Sequence, residues 1–139
     1  MADLIFDRFA YHVAIGDIDL DGDTFKIALL TTSYTPDSTD EYFSDLSAYE
    51  TDATNYPAGG QELDNVSVSE ASGVTTLDAN DETFINLTGT NIKYAVVYDT
   101  TASNLLVCLF EFSITRNPTA ENLKLTFDSE GLFDFAQAA

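Results

Sequence analysis

The sequence has no tryptophan, one cysteine, one histidine, three prolines and five lysines plus arginines. Each shortage excludes something. A single cysteine cannot close an internal disulfide, so stability has to come from packing or from association with other chains. Histidine is the usual general base near neutral pH and the commonest metal ligand. Here His12 is the sole candidate, and it sits in an apolar N-terminal stretch, where packing is the expected role. Cys108 lies inside the run Leu105-Leu-Val-Cys-Leu-Phe110, where burial makes a thiol inert. This composition points to a binding or assembly module rather than an enzyme, with no catalytic residue, no cofactor and no tightly bound metal expected. No apolar run approaches the roughly 20 residues that span a bilayer. The opening Met1-Ala-Asp-Leu-Ile-Phe-Asp-Arg8 carries neither a basic region nor a long apolar core of the export type. Cytoplasmic synthesis without membrane contact is the expectation.

What the chain has in excess is acid. Twenty-four Asp and Glu set the formal net charge at −19. Such a charge repels phosphate backbones, which excludes direct nucleic-acid binding as an expectation, and it disfavours anionic membrane surfaces. Disorder is not implied, because 45% of the residues are hydrophobic and ten phenylalanines and seven tyrosines are available for a core. A length of 139 residues suits one domain, 1–139.

Periodicity divides the chain. Apolar residues at 5, 6, 9, 13 and 14 predict an amphipathic N-terminal helix within 1–16, capped by Asp3, ended by Gly16 and packed through Ile5, Phe6, Phe9 and Val13. Thr24–Thr31 reads as a strand apolar enough to be buried on both faces. Residues 32–61 form a loop-rich aromatic insertion. Within it Asp40–Tyr49 suits a short helix with Tyr42, Phe43, Leu46 and Tyr49 on one face, and Tyr56-Pro-Ala-Gly-Gly60 is a turn that needs glycine. Beyond lie seven predicted strands, Glu62–Glu70, Val74–Ala79, Glu82–Leu87, Lys93–Asp99, Leu105–Ser113, Leu123–Asp128 and Leu132–Ala136, separated by turn residues. The predicted fold is mainly β: an antiparallel β-sandwich or jelly-roll-like barrel with an N-terminal helix.

Three constellations invite chemistry. Asp17-Ile-Asp-Leu-Asp-Gly-Asp23 begins like a calcium loop, but the twelfth position holds Ala28 instead of a bidentate glutamate, so an EF-hand is excluded and a hydrated acidic turn is expected, with a weak calcium or sodium site as the alternative. Asp78, Asp81 and Glu82 could form an acid/base pair of the glycosidase kind, but a surface turn with side-chain-to-backbone bonds is the expected reading. Tyr94 and Tyr98 share one strand face, as core or interface residues.

Several segments in order carry a resemblance: Tyr56-Pro-Ala-Gly-Gly-Gln-Glu-Leu63, Asn65-Val-Ser-Val68, Thr76-Leu-Asp-Ala-Asn-Asp81, Tyr94-Ala-Val-Val-Tyr-Asp-Thr100, Leu123-Lys-Leu-Thr-Phe-Asp128 and Gly131-Leu-Phe133. From about Phe6 to Phe135 the chain resembles a family of small structural proteins of tailed bacteriophages. It departs from that pattern in lacking the aromatic, often tryptophan, just after the acidic turn near Asp81, a neighbourhood that Phe84 takes. The resemblance implies a virion protein made in the host cytoplasm, with the major capsid protein or another virion protein as partner. The strong negative charge suits the outside of a shell better than contact with packaged DNA. That favours a capsid decoration (cement) protein, assembled as a homotrimer or higher oligomer. A neck, tail or fibre-attachment protein is the alternative, followed by a carbohydrate-binding or hydrolytic β-sandwich. Tyr34, Tyr42, Phe43, Tyr49 and Tyr56 are the candidate interface residues, since a compact domain has little reason to place five aromatics in one loop-rich segment. The competing expectation is that the segment folds back and closes the core.

Overall fold

The computed structural model of the chain describes residues 1–136, so the last three positions of the expected domain lie outside the described residues. Ten strands are present: β1 (Leu4–Ile5), β2 (Phe25–Thr31), β3 (Gln61–Glu62), β4 (Ser67–Ala71), β5 (Val74–Asp78), β6 (Glu82–Leu87), β7 (Ile92–Asp99), β8 (Leu105–Arg116), β9 (Glu121–Leu125) and β10 (Phe133–Ala136). Two short helices join them, α1 (Phe9–Ala14) and α2 (Phe43–Leu46), the latter running into a single tight turn over Ser47–Tyr49. The strands form a five-stranded sheet in the order β1-β8-β7-β2-β3, a three-stranded sheet β10-β5-β4 and a pair β6-β9. Every pairing is antiparallel. The chain is therefore mainly β with a small N-terminal helix, as its periodicity predicts.

The five-stranded sheet is covered on both faces. Ile27, Leu29, Ala95, Val97 and Val107 meet Leu77, Phe84, Leu87, Leu125 and Phe133 from the two smaller sheets in one apolar layer, a sandwich-like arrangement. On the opposite face Ala28, Leu30, Tyr94, Val96, Tyr98 and Leu106 pack with Phe6, Tyr34 and Leu46, the last two from the loop-rich segment. Strand alternation sends neighbours in β2 to the two layers, which is why its sequence is almost continuously apolar. A bulge in β8 opposite Val97 and Tyr98 interrupts that alternation, and Val107 and Cys108 both join the first layer.

The N-terminus departs from expectation. Helix α1 spans Phe9–Ala14, not the whole of 1–16, because Leu4 and Ile5 pair instead with Leu109 and Cys108 of β8. Asp3 caps nothing; its carboxylate accepts the Glu111 N–H at 2.7 Å. Ile5 is 40% exposed, whereas Phe6 and Phe9 are buried in different layers. The spacing of a short strand followed by a one-and-a-half-turn helix imitates a longer helix, and the unpaired edge of β8 decides between them by offering backbone partners. Gly16 ends the helix as expected, at φ +84°. The strand expected over Glu62–Glu70 is also broken, into β3 and β4, around Asn65 at φ +52°.

Candidate functional site

Tyr34, Phe43 and Leu46 of the loop-rich segment pack on the second face of the large sheet, whereas Ala53 and Tyr56 reach round to the first layer, and the segment is fixed by polar contacts as well as rings. The Tyr34 hydroxyl donates to Asp40 Oδ2 (2.9 Å) and accepts the Asp37 N–H (3.3 Å), while its ring meets Tyr94 edge-on at 5.8 Å. Desolvation pushes the Tyr34 phenol up. Phe43 stacks flat on Tyr98, 4.3 Å between centroids. Leu46 is completely buried. Two backbone bonds, Phe43 N–H to Asn104 O and Leu106 N–H to Glu41 O, both 2.9 Å, tie the segment to the start of β8.

Tyr56 anchors the far end. Its hydroxyl donates to Glu50 Oε1 (2.6 Å) and accepts the Leu29 N–H (3.1 Å), and its ring stacks on Phe84 at 5.6 Å. Glu50 Oε1 also accepts the Gly59 N–H at 2.6 Å. Burial, then the Glu50 contact, drive the Tyr56 phenol up. Gly60 has φ +85° and lies against the Ile27 carbonyl, where a Cβ has no room, so glycine is needed at this position for close approach to β2.

Of the five expected interface residues, then, Tyr34 is 3% exposed and belongs to the protein's own core. Phe43 and Tyr56 are half-buried anchors. Tyr42 and Tyr49 are 39% and 37% exposed and remain on the surface. The segment does fold back over the sheet, and it does so while presenting two tyrosines outward.

Beside Tyr49 lies a small hollow of about 170 Å³ lined by Tyr34, Asp37, Asp40 and Asp45 among others. Asp37 is held below its ordinary range by bonds from Thr39, and Asp45 by the Tyr42 and Glu41 N–H groups. Desolvation raises Asp40. The space is below the roughly 300 Å³ at which small-molecule sites begin.

His12 is 7% exposed, and both ring nitrogens are engaged, Nδ1 with Asp17 Oδ2 at 2.9 Å and Nε2 with Glu41 Oε1 at 2.8 Å. The His12 contact holds Glu41 below the ordinary glutamate range. The imidazole thus clamps α1, the acidic turn and the loop-rich segment together. In the acidic turn Asp19 Oδ1 accepts the Asp21 and Gly22 N–H groups, each at 3.1 Å, and Asp23 Oδ2 accepts the Asp19 N–H at 2.8 Å. Among the described residues no three His, Cys, Asp or Glu side chains are placed to share a metal ion.

The other sequence candidates have structural work. Cys108 is fully buried and its thiol is pushed up by desolvation. Asp81 accepts the Phe127 N–H (3.0 Å) and pairs with Lys124, which lowers it, whereas burial raises Glu82, bonded to Gln61 at 3.0 Å. Tyr94 and Tyr98 are buried in the second layer.

One group escaped sequence reasoning. Asp99, at the end of β7, is 0% exposed, and its Oδ2 has no hydrogen-bond donor. Its one sequence signal is a carboxylate at the end of the apolar run Tyr94–Tyr98, which reads as an ordinary strand-to-turn boundary.

Compared with known protein families, curated proteins and solved structures, the chain matches none.

Proposed function

We propose that this chain is a structural protein of a tailed-bacteriophage virion, and specifically a decoration protein seated on the outer face of the capsid shell. The reading rests on the ordered motifs described for the sequence and on one feature of the structure. The loop-rich segment is held to the sheet by Tyr34, Phe43, Leu46 and Tyr56, so Tyr42 and Tyr49 stand on a rigid base. Rigid, half-exposed tyrosines suit protein contact, because a ring with few rotamers loses little entropy on being covered and its hydroxyl finds a partner at the rim. The chain's acidic surface opposes unspecific association and directs such a contact toward a complementary partner. The engagement of His12 by two carboxylates and the burial of Cys108 favour binding over catalysis.

Binding only to the assembled shell stabilises it by mass action. A homotrimer around a local threefold position accommodates three such segments facing capsomer boundaries. The test is to strip particles of this protein, add it back and measure thermal release of DNA. Wild-type protein is expected to bind in many copies per particle and raise the release temperature, and the double change Tyr42→Ser, Tyr49→Ser is expected to abolish both effects. Failure of wild type to bind, or equal binding by the double variant, refutes the reading or its surface. Binding in a few copies at one vertex places the protein at the neck or tail instead.

A further inference from the structure

Asp99 presents an unbalanced account of hydrogen bonds. Its Oδ1 accepts two backbone N–H groups from the following turn, Thr101 at 2.9 Å and Ala102 at 3.0 Å. Its Oδ2 is shielded from solvent and receives no donor. A buried carboxylate oxygen without a donor is costly, and more so when the nearest charge is another carboxylate. Asp23, the last residue of the acidic turn, is brought beside Asp99 because the next residue, Thr24, is bonded to Thr100 and Thr101, and burial, then the contact between the two side chains, raise Asp99. Among the described residues neither carboxylate takes part in an ion pair. In register beside Asp99 stand Phe25 on β2 and Leu105 on β8, both apolar. The β7–β8 turn contributes Thr100, Thr101 and Ala102, none of them ionisable, and Lys26 points to the opposite sheet face from Phe25.

We propose that Asp23 and Asp99 hold one proton between them, and that this proton is a latch fastening the acidic turn to the turn between β7 and β8. An O–H donated from one carboxyl to the other supplies the missing donor and removes one of the two like charges. The joint around it is already formed: the Thr24 N–H bonds Thr101 Oγ1, and Thr100 donates from both its N–H and its hydroxyl to the Thr24 carbonyl, all at 2.9 Å. Loss of the proton sets two charges against each other at this joint while leaving the rest of the sandwich intact.

Burial, and next the contact with Asp23, raise Asp99 from 3.8 to about 7. Between these values the folded chain holds a proton that the unfolded chain releases. The pair's contribution is therefore complete at low pH, declines as pH rises through the window and is absent above it. General relief of acidic repulsion also favours low pH, so the informative quantity is the difference between wild type and a variant.

Thermal unfolding of the full chain is followed at about pH 5 and about pH 8 in chelator and in added calcium, for wild type, Asp99→Asn and Asp23→Asn. An amide in either position mimics the protonated acid. Each variant is expected to lose about 5 °C less than wild type between the two pH values, and to melt no lower than wild type at the higher one. The Asp99 carboxyl carbon is expected to titrate near 7 by NMR, and backbone exchange at Thr101 and Ala102 to accelerate above that midpoint in wild type only. If both variants lose stability equally at the two pH values, or if the carbon titrates in the ordinary aspartate range, the shared proton is refuted. Calcium that raises the wild-type melting temperature but not that of the variants also refutes it, by placing a cation between the oxygens. If Asp99→Asn does not fold, Asp23→Asn decides the matter, since it leaves Asp99 and its two backbone hydrogen bonds in place.

Discussion

Tyr56→Phe removes one oxygen atom and is expected to cost far more than most substitutions of that size. The ring stays, with its stack on Phe84. What goes is the acceptor for the Leu29 N–H and the donor to Glu50. Leu29 is 0% exposed, so its N–H is left without water to replace the hydroxyl. An orphaned buried donor costs about 1–3 kcal/mol, and loss of a hydrogen bond to a charged group about 1.5 kcal/mol or more, part of it recovered here because Glu50 keeps the Gly59 N–H. The total is about 3 kcal/mol. A chain of 139 residues has an unfolding entropy of about 0.3 kcal/mol/K near its midpoint, so the melting temperature falls by about 10 °C. Scanning calorimetry on Tyr56→Phe, with Tyr49→Phe at the half-exposed ring as the comparison, measures this directly. A fall of less than about 3 °C, or an equal fall in the comparison, refutes the view that Tyr56 completes the hydrogen bonding of β2.

Leu46→Ala empties a fully buried site beneath the loop-rich segment and is expected to lower stability by about 2–5 kcal/mol in urea unfolding. Gly60→Ala drives a Cβ against the Ile27 carbonyl at φ +85°, with an expected loss of about 3 kcal/mol or failure to fold, whereas Gly73→Ala, at φ +83° with open space around it, is expected to cost about 1 kcal/mol. Cys108 is expected to react with a thiol reagent only as fast as the chain unfolds; immediate labelling in native buffer contradicts its burial.

The parts of the fold that sequence reveals are those where burial and local pattern agree. The limits of β6 match the reading of Glu82–Leu87, and the continuous apolar run of β2 announces two covered faces. The Ser72-Gly73 hairpin follows from turn residues that accept positive φ. The errors arise where a distant partner decides. Nothing in residues 1–16 discloses that β8 has an edge for Leu4 and Ile5, and the aromatic segment's own sequence does not reveal which tyrosines turn inward. Asp99 is the extreme case, because its neighbour Asp23 reaches it only through the folded joint.

The pairing of β1 with β8 has a consequence for how the chain is made. The Glu111 N–H and the Asp3 carboxylate that receives it are 108 residues apart. At about 5–20 residues per second, a ribosome takes roughly 5–20 s to supply the second partner after the first. During that time Leu4, Ile5 and Phe6 have no strand to join, and the layer that Phe6 completes stays open. Contacts between residues so far apart also slow the final collapse, to the order of milliseconds to seconds. Vectorial synthesis therefore leaves Leu4, Ile5 and Phe6 among the residues placed last, on a nascent chain whose net charge of −19 opposes association with its neighbours.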